Sequence, residues 1–282
     1  MMYATKSEDE RLALVVESDP EPLNPRKDWD GNIGTMVCWH RRYDLGDKHE
    51  YDTPEEFLKD ILQKNINDGG KRVIEYIKKG CSKYAALRYN RKSREYDLFK
   101  ICRDGSESLV QSAPKSQLRD DGWFFDYIMD TISINDTKNL IAQYGTVFIL
   151  PLFLYDHSGL AMSTGSFIGR AVHAEWDSGQ VGFIYATEES AEKQFGRKAT
   201  KEEILADLEG EVKDYDDYLQ DNCWGYRVFR DGIEEDSCWG FLGDAQELIK
   251  ELKDYVPEEF EQLVDKLEPY WGCVSAETYA AS

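Results

Sequence analysis

No stretch of this chain is apolar for the roughly 20 residues that a membrane-spanning helix requires. The longest apolar run, residues 147–155, contains a proline and leads into Asp-His, so it reads as a buried strand. Neither GxGxxG nor GxxxxGKS/T occurs, which removes local support for nucleotide binding. GxSxG is also missing, and with it any signature of a nucleophile elbow. The six cysteines, at 38, 81, 102, 223, 238 and 273, form no CxxC pair. That dispersal fits a reducing compartment with thiols as apolar fillers, Cys223 and Cys238 being the one pair placed near each other by a hairpin. The first residues lack a basic segment followed by an apolar one, so no secretion signal is expected and a cytoplasmic location is.

What is present is enough to build a core. The 282 residues are 41% hydrophobic and 13% aromatic, which argues against a disordered chain. The net charge is −21 and it is unevenly spread. Residues 188–268 carry 25 acidic against 10 basic side chains, while residues 71–119 carry 13 basic against 5 acidic. A charge island of opposite sign bears on partners more than on fold.

Strand signals mix with helical ones without a βαβ alternation. The class expected is therefore α+β, with a mainly antiparallel central sheet at 144–187 and flanking helices. LALVV at 12–16 and the segment 34–40 read as strands. Thr53-Pro54-Glu55-Glu56 is a capping box with proline at the first helical position, and Asn-Asp-Gly-Gly at 67–70 stops that helix. A second helix is expected over 71–79, then a hairpin of 84–89 and 96–102, a loop, and helices over 121–131 and 136–144. Thr200-Lys-Glu-Glu203 opens a long acidic helix running to about residue 220. Asp231-Gly232 joins strands 223–230 and 233–241, two short helices follow, and 274–282 reads as a loose tail. The change of charge sign divides the chain into a main domain, 1–70 with 144–282, and an inserted basic lobe, 71–143.

Three places can carry function. Asp156-His157-Ser158 and Asp177-Ser178-Gly179-Gln180 lie where strands of the central stretch end. Carboxylates beside an imidazole suit acid–base work or metal ligation, with Cys38 and His40 the nearest further ligands in type. The plainer reading is that Asp156, His157, Asp177 and Gln180 pin tight loops. The basic hairpin interleaves Lys83, Arg88, Arg91, Lys92 and Arg94 with tyrosines, which suits phosphates or an acidic protein face. Asp214, Asp216, Asp217 and Asp221 line the acidic helix, where spaced carboxylates either imitate phosphates or form a solvated face.

The segments PRKDWDGNIGTMVCWHRRYDLGD (25–47), LPLFLYDHSG (150–159), WDSGQVGFIYAT (176–187) and DSCWGF (236–241) resemble a family of uncharacterised proteins encoded by bacteriophages and mobile elements. The chain departs from that pattern at Gly31-Asn32-Ile33 and in the 160–175 loop, and 71–143 is unmatched. The family carries no reaction with it. By analogy the resemblance implies an anti-defence protein, not an enzyme and without metal or cofactor. Such a protein binds a host nuclease complex of the restriction, CRISPR or Gabija type and self-associates. Two other readings stay open: a metal-dependent hydrolase-like enzyme using Asp156, His157 and Asp177, and a nucleic-acid-binding accessory protein using the basic hairpin. None of the three places the chain in a membrane.

Overall fold

The computed structural model describes residues 2–65, 69–119 and 122–282. The chain runs β1 (Met2–Lys6), β2 (Leu12–Ser18), β3 (Thr35–Cys38), α1 (Pro54–Asn65), α2 (Gly69–Lys78), β4 (Ala85–Asn90), β5 (Glu95–Ile101) and β6 (Glu107–Pro114). It continues with α3 (Trp123–Thr131), α4 (Ile134–Tyr144), β7 (Val147–Asp156), β8 (Leu160–Ser163), α5 (Ala174–Asp177), β9 (Ser178–Thr187), α6 (Glu188–Phe195) and α7 (Lys201–Leu219). β10 (Cys223–Arg230), β11 (Ile233–Leu242), α8 (Ala245–Glu251), α9 (Glu261–Val264), β12 (Glu268–Tyr270) and α10 (Ala276–Ala281) complete it. The class is α+β with antiparallel strand pairing throughout the described ladders. No described helix is long and apolar enough to cross a membrane.

Two compact units form. The first holds residues 1–32, 151–181 and 206–282, and the second holds 33–150 and 182–205. In the first, five strands lie in the order β11-β10-β2-β1-β12. One face of this sheet packs Tyr3, Leu14, Val16, Trp224, Tyr226 and Val228 under Leu248, Leu252, Phe260 and Leu263. The other packs Met2, Ala4, Ala13, Val15 and Phe229 under Ala276 and Ala280 of α10. A strand covered on both faces has no polar side, which is why 12–16 reads as an unbroken apolar run. At the β10–β11 turn Asp231 and Gly232 both have positive φ, 50° and 78°, the geometry that Asp-Gly hairpins select.

In the second unit β4, β5 and β6 form a three-stranded sheet. Its hydrophobic cluster joins Val73, Ile77, Leu87, Leu98, Phe124, Ile128 and Leu140 to Val37, Phe57, Ile61, Val147 and Phe183. Residues from within 71–143 thus share one core with residues outside that segment. β3 pairs with β9 between Thr35–Cys38 and Gly182–Tyr185.

The capping box expected at Thr200 closes, whereas at Thr53 the glutamate side chain reaches the amide one residue before the cap. The Glu56 amide donates to Thr53 Oγ1 at 3.2 Å while Glu56 Oε2 accepts the Asp52 amide at 2.9 Å. At α7 the Glu203 amide donates to Thr200 Oγ1 at 3.2 Å and the Thr200 amide to Glu203 Oε2 at 2.8 Å. Asn67, Asp68 and Asp121, where a helix stop and a helix start were expected, lie outside the described residues. The segment expected as a loop after the basic hairpin contains β6, and the expected tail contains α10, whose cap Ser275 Oγ accepts the Thr278 amide at 3.3 Å. Cys223 stands opposite Leu242 and Cys238 opposite Tyr226, so the two thiols are out of register, and all six cysteines are free.

Candidate functional site

β7 ends at Asp156 and the chain reverses through His157-Ser158-Gly159 into β8. The reversal is tight: the His157 amide donates to the Gly159 carbonyl at 3.1 Å, and Ser158 has φ 59°. That turn holds the His157 ring outward. Asp177, the last residue of α5, meets it, with His157 Nδ1 2.8 Å from Asp177 Oδ2 and the side chains 44% and 33% exposed. A carboxylate only accepts, so Nδ1 carries the hydrogen and the neutral ring keeps its lone pair on Nε2. Tyr155 stacks on His157 at 5.8 Å and on Phe167 at 5.5 Å, and its hydroxyl donates to the Val172 carbonyl at 2.8 Å. His173, in the left-handed region at φ 56°, lies 5.9 Å from His157. The ring pair borders a groove of about 330 Å³ lined by Tyr155, His157, Gly159, Leu160, Leu219 and Asp221, among others.

The arrangement is an imidazole oriented by a carboxylate at the edge of a groove. The two serines that adjoin it in sequence are engaged by backbone: Ser158 Oγ donates to the His157 carbonyl and Ser178 Oγ to the Ala174 carbonyl, each at 2.6 Å. Asp156 sits on the last rung of β7 opposite Leu160, and Gln180 is exposed on β9. The further ligand types, Cys38 and His40, belong to the second unit. Cys38 is buried, and His40 Nδ1 accepts the Arg42 and Tyr43 amides at 3.3 and 3.2 Å. Among the described residues no group of three histidine, cysteine, aspartate or glutamate side chains converges as a metal site.

The basic hairpin sorts its cations. Arg88 makes a two-pronged bond to Glu107 of β6, both arms at 2.6 Å, and that bond raises its already high pKa. Its guanidinium also covers the Phe99 ring at 5.3 Å. Lys83 is exposed at the entry to β4. At the β4–β5 turn Arg91, Lys92 and Arg94 are exposed, and among the described residues none has a carboxylate partner. Beside them Tyr89 is 50% exposed and lies 5.1 Å from Tyr96, which is itself capped by Lys78 at 4.7 Å.

The acidic helix turns much of its charge inward. Asp216 accepts the Met162 amide at 2.6 Å, and burial raises its pKa. Asp217 is buried and accepts from Lys213 Nζ at 3.1 Å. Asp214 is half-buried, which raises its pKa too. Glu211 is buried against Arg26, 2.5 Å from its Nη1. Asp221 alone of the four candidate aspartates is exposed, at φ 57° beyond the end of α7, and it lines the His157 groove.

Tyr155, Phe167, His173 and Glu107 were not legible as site residues. Tyr155 precedes His157 by two, the spacing that puts two strand residues on one side. Phe167 and His173 sit in irregular chain, where no period marks them. No family model, curated protein or solved structure matches the chain.

Proposed function

We propose that this protein is a mobile-element-encoded anti-defence protein that binds a host nuclease-containing immune complex stoichiometrically, without catalysis. The observation that carries the reading is the β4–β5 turn, where Arg91, Lys92 and Arg94 stand exposed, without a carboxylate partner among the described residues, on a chain of net charge −21. Exposed cations clustered on so acidic a chain suit an anionic partner surface, and the exposed Tyr89 ring supplies apolar contact beside them. The test is protection of phage in cells carrying nuclease-based defence, together with co-purification of a defence component. Reversing the three turn charges to glutamate abolishes both under this reading, and an unchanged phenotype would sink it.

The same turn suits nucleic acid, since bases stack on tyrosine and phosphates meet arginine. That reading predicts salt-sensitive binding to single-stranded DNA or RNA, and a gel shift at low salt decides it. A catalytic reading has one specific observation in its favour, the 2.8 Å His157–Asp177 pair beside an open groove. It requires that Asp177→Asn eliminate the phenotype, whereas the binding reading requires that Asp177→Asn leave it intact.

A further inference from the structure

The near-repeat Cys223-Trp-Gly-Tyr and Cys238-Trp-Gly-Phe places its two tryptophans in opposite environments. Trp224 is buried and Trp239 is 38% exposed. A β-bulge is the cause. Trp224 pairs with Phe241, yet the next rung joins Gly225 to Trp239, which leaves Gly240 as the extra residue at φ 88°. Phe241 packs on the face of Tyr226 and Val228, and without the bulge Trp239 would follow it there. The bulge instead turns Trp239 onto the α10 face. Strand registers carry one row across that face: Trp239, Gly225, Glu17, Met2, Tyr270.

Gly225 makes room for the indole. A Cβ at that position would collide with Trp239 Cε3, Cδ2 and Cζ3, so the ring lies against the Gly225 backbone while the side chain stays 38% exposed. α10 covers the neighbouring part of the sheet, over Ala4, Ala13, Val15 and Phe229. Toward the Trp239 end the face opens, with the indole 38% exposed. There Asp19, Pro20, Glu21 and Leu23 complete a groove of about 340 Å³ with Trp239 and Gly240. Asp19 Oδ1 accepts the Glu21 amide at 2.9 Å, which orders the wall, and Leu23 is 60% exposed.

The groove lining holds two carboxylates and no cation. An open indole face attracts a cation, the carboxylates match its charge, and Pro20 and Leu23 accept an aliphatic stem. Guanidinium fits better than ammonium because it also stacks on the ring. We infer that this groove is a docking site for an extended, arginine- or lysine-bearing segment of a partner protein. The occupant is a cationic partner and not a second copy, because a second copy carries its own net charge of −21 toward this one. The groove shares no residue with the basic turn, so this inference and the reading above fail separately.

Anisotropy of a short labelled peptide of alternating arginine and glycine, titrated with the full chain at low and high salt, tests it. Binding is expected to weaken with salt, and Trp239→Ala is expected to weaken it about tenfold. Glu21→Gln weakens binding and flattens its salt dependence. Gly225→Ala keeps every lining group but displaces the indole, and it is expected to behave like Trp239→Ala. Trp239→Phe keeps an aromatic face and holds part of the affinity, which separates recognition from misfolding, and circular dichroism checks each variant. Unchanged affinity in Trp239→Ala, or equal binding of a glutamate–glycine peptide, overturns the site. Tighter binding of a peptide copying residues 88–95, with Trp239-dependent dimers in sedimentation, overturns the partner assignment in favour of a second copy.

Discussion

Arg26→Met isolates a deeply buried ion pair of the first unit. The side chains of Arg26 and Glu211 are 2% and 8% exposed and their charged atoms lie 2.5 Å apart. Removing the guanidinium takes that counter-charge from the Glu211 carboxylate, which is 8% exposed. Breaking such a pair from one side costs about 3–5 kcal/mol. Against a total stability of about 5–15 kcal/mol that is a large fraction, and it corresponds to a fall in melting temperature on the order of 10 °C. Urea titration followed by circular dichroism reads the change. Arg26→Met with Glu211→Leu removes both charges and is expected to recover most of the loss, because an apolar pair of similar volume is often neutral or stabilising. The double variant separates charge from packing. A single variant less than about 1 kcal/mol below wild type would refute the reasoning, since surface pairs reach that size.

Other consequences are as direct. Phe57 is fully buried between Tyr51, Phe183 and Tyr185, so Phe57→Ala is expected to cost about 3–5 kcal/mol in urea unfolding of the second unit. Burial, reinforced by nearby Asp19, Asp217 and Asp221, pushes the Cys223 thiol up to about 11. Thiol titration with a disulfide reagent at pH 8 is then expected to label Cys81, Cys102, Cys238 and Cys273 quickly, and Cys38 and Cys223 only on unfolding. The hydrogen bond from Arg227, followed by that from Ser275, holds the Glu277 carboxyl down to about 2 from an ordinary 4.5. A depressed carboxyl contributes stability above its unfolded pKa and loses it as pH falls through the folded value. α10 is therefore expected to stay docked at pH 5 and loosen as pH approaches 2, a transition that Arg227→Gln moves upward in a carboxyl NMR titration.

Much of the local structure was legible because it rests on short-range chemistry. The helix caps at Thr53 and Thr200 and the Asp231-Gly232 turn each involve groups within a few residues of one another. His157 and Asp177 were legible as candidates, though not as a bonded pair, since residues 20 apart meet only after β7, β8 and α5 are in place. β1 and β12 escaped because MYATK and EPY draw their register from β2 and from each other, not from any alternation of their own. β6 escaped for a related reason: its serines and Gln111 conceal the strand until β5 pairs with it. The two charge blocks misled in a particular way. Composition counts Glu211, Asp216 and Asp217 as surface charge, whereas the helix face they occupy points them into the protein. Nor does composition distinguish Arg88, spent on Glu107, from Arg91, Lys92 and Arg94. The contrast between Trp224 and Trp239 lay beyond sequence reading, because one bulge residue reverses the face.

The proposed binding depends on the basic turn and not on chemistry at the imidazole. The most direct measurement is phage plating on cells that carry nuclease-based defence and express wild type, the Arg91→Glu/Lys92→Glu/Arg94→Glu variant or Asp177→Asn at matched levels. Under the proposed function, wild type and Asp177→Asn restore plating equally while the triple variant does not. Restored plating by the triple variant together with loss in Asp177→Asn would contradict it.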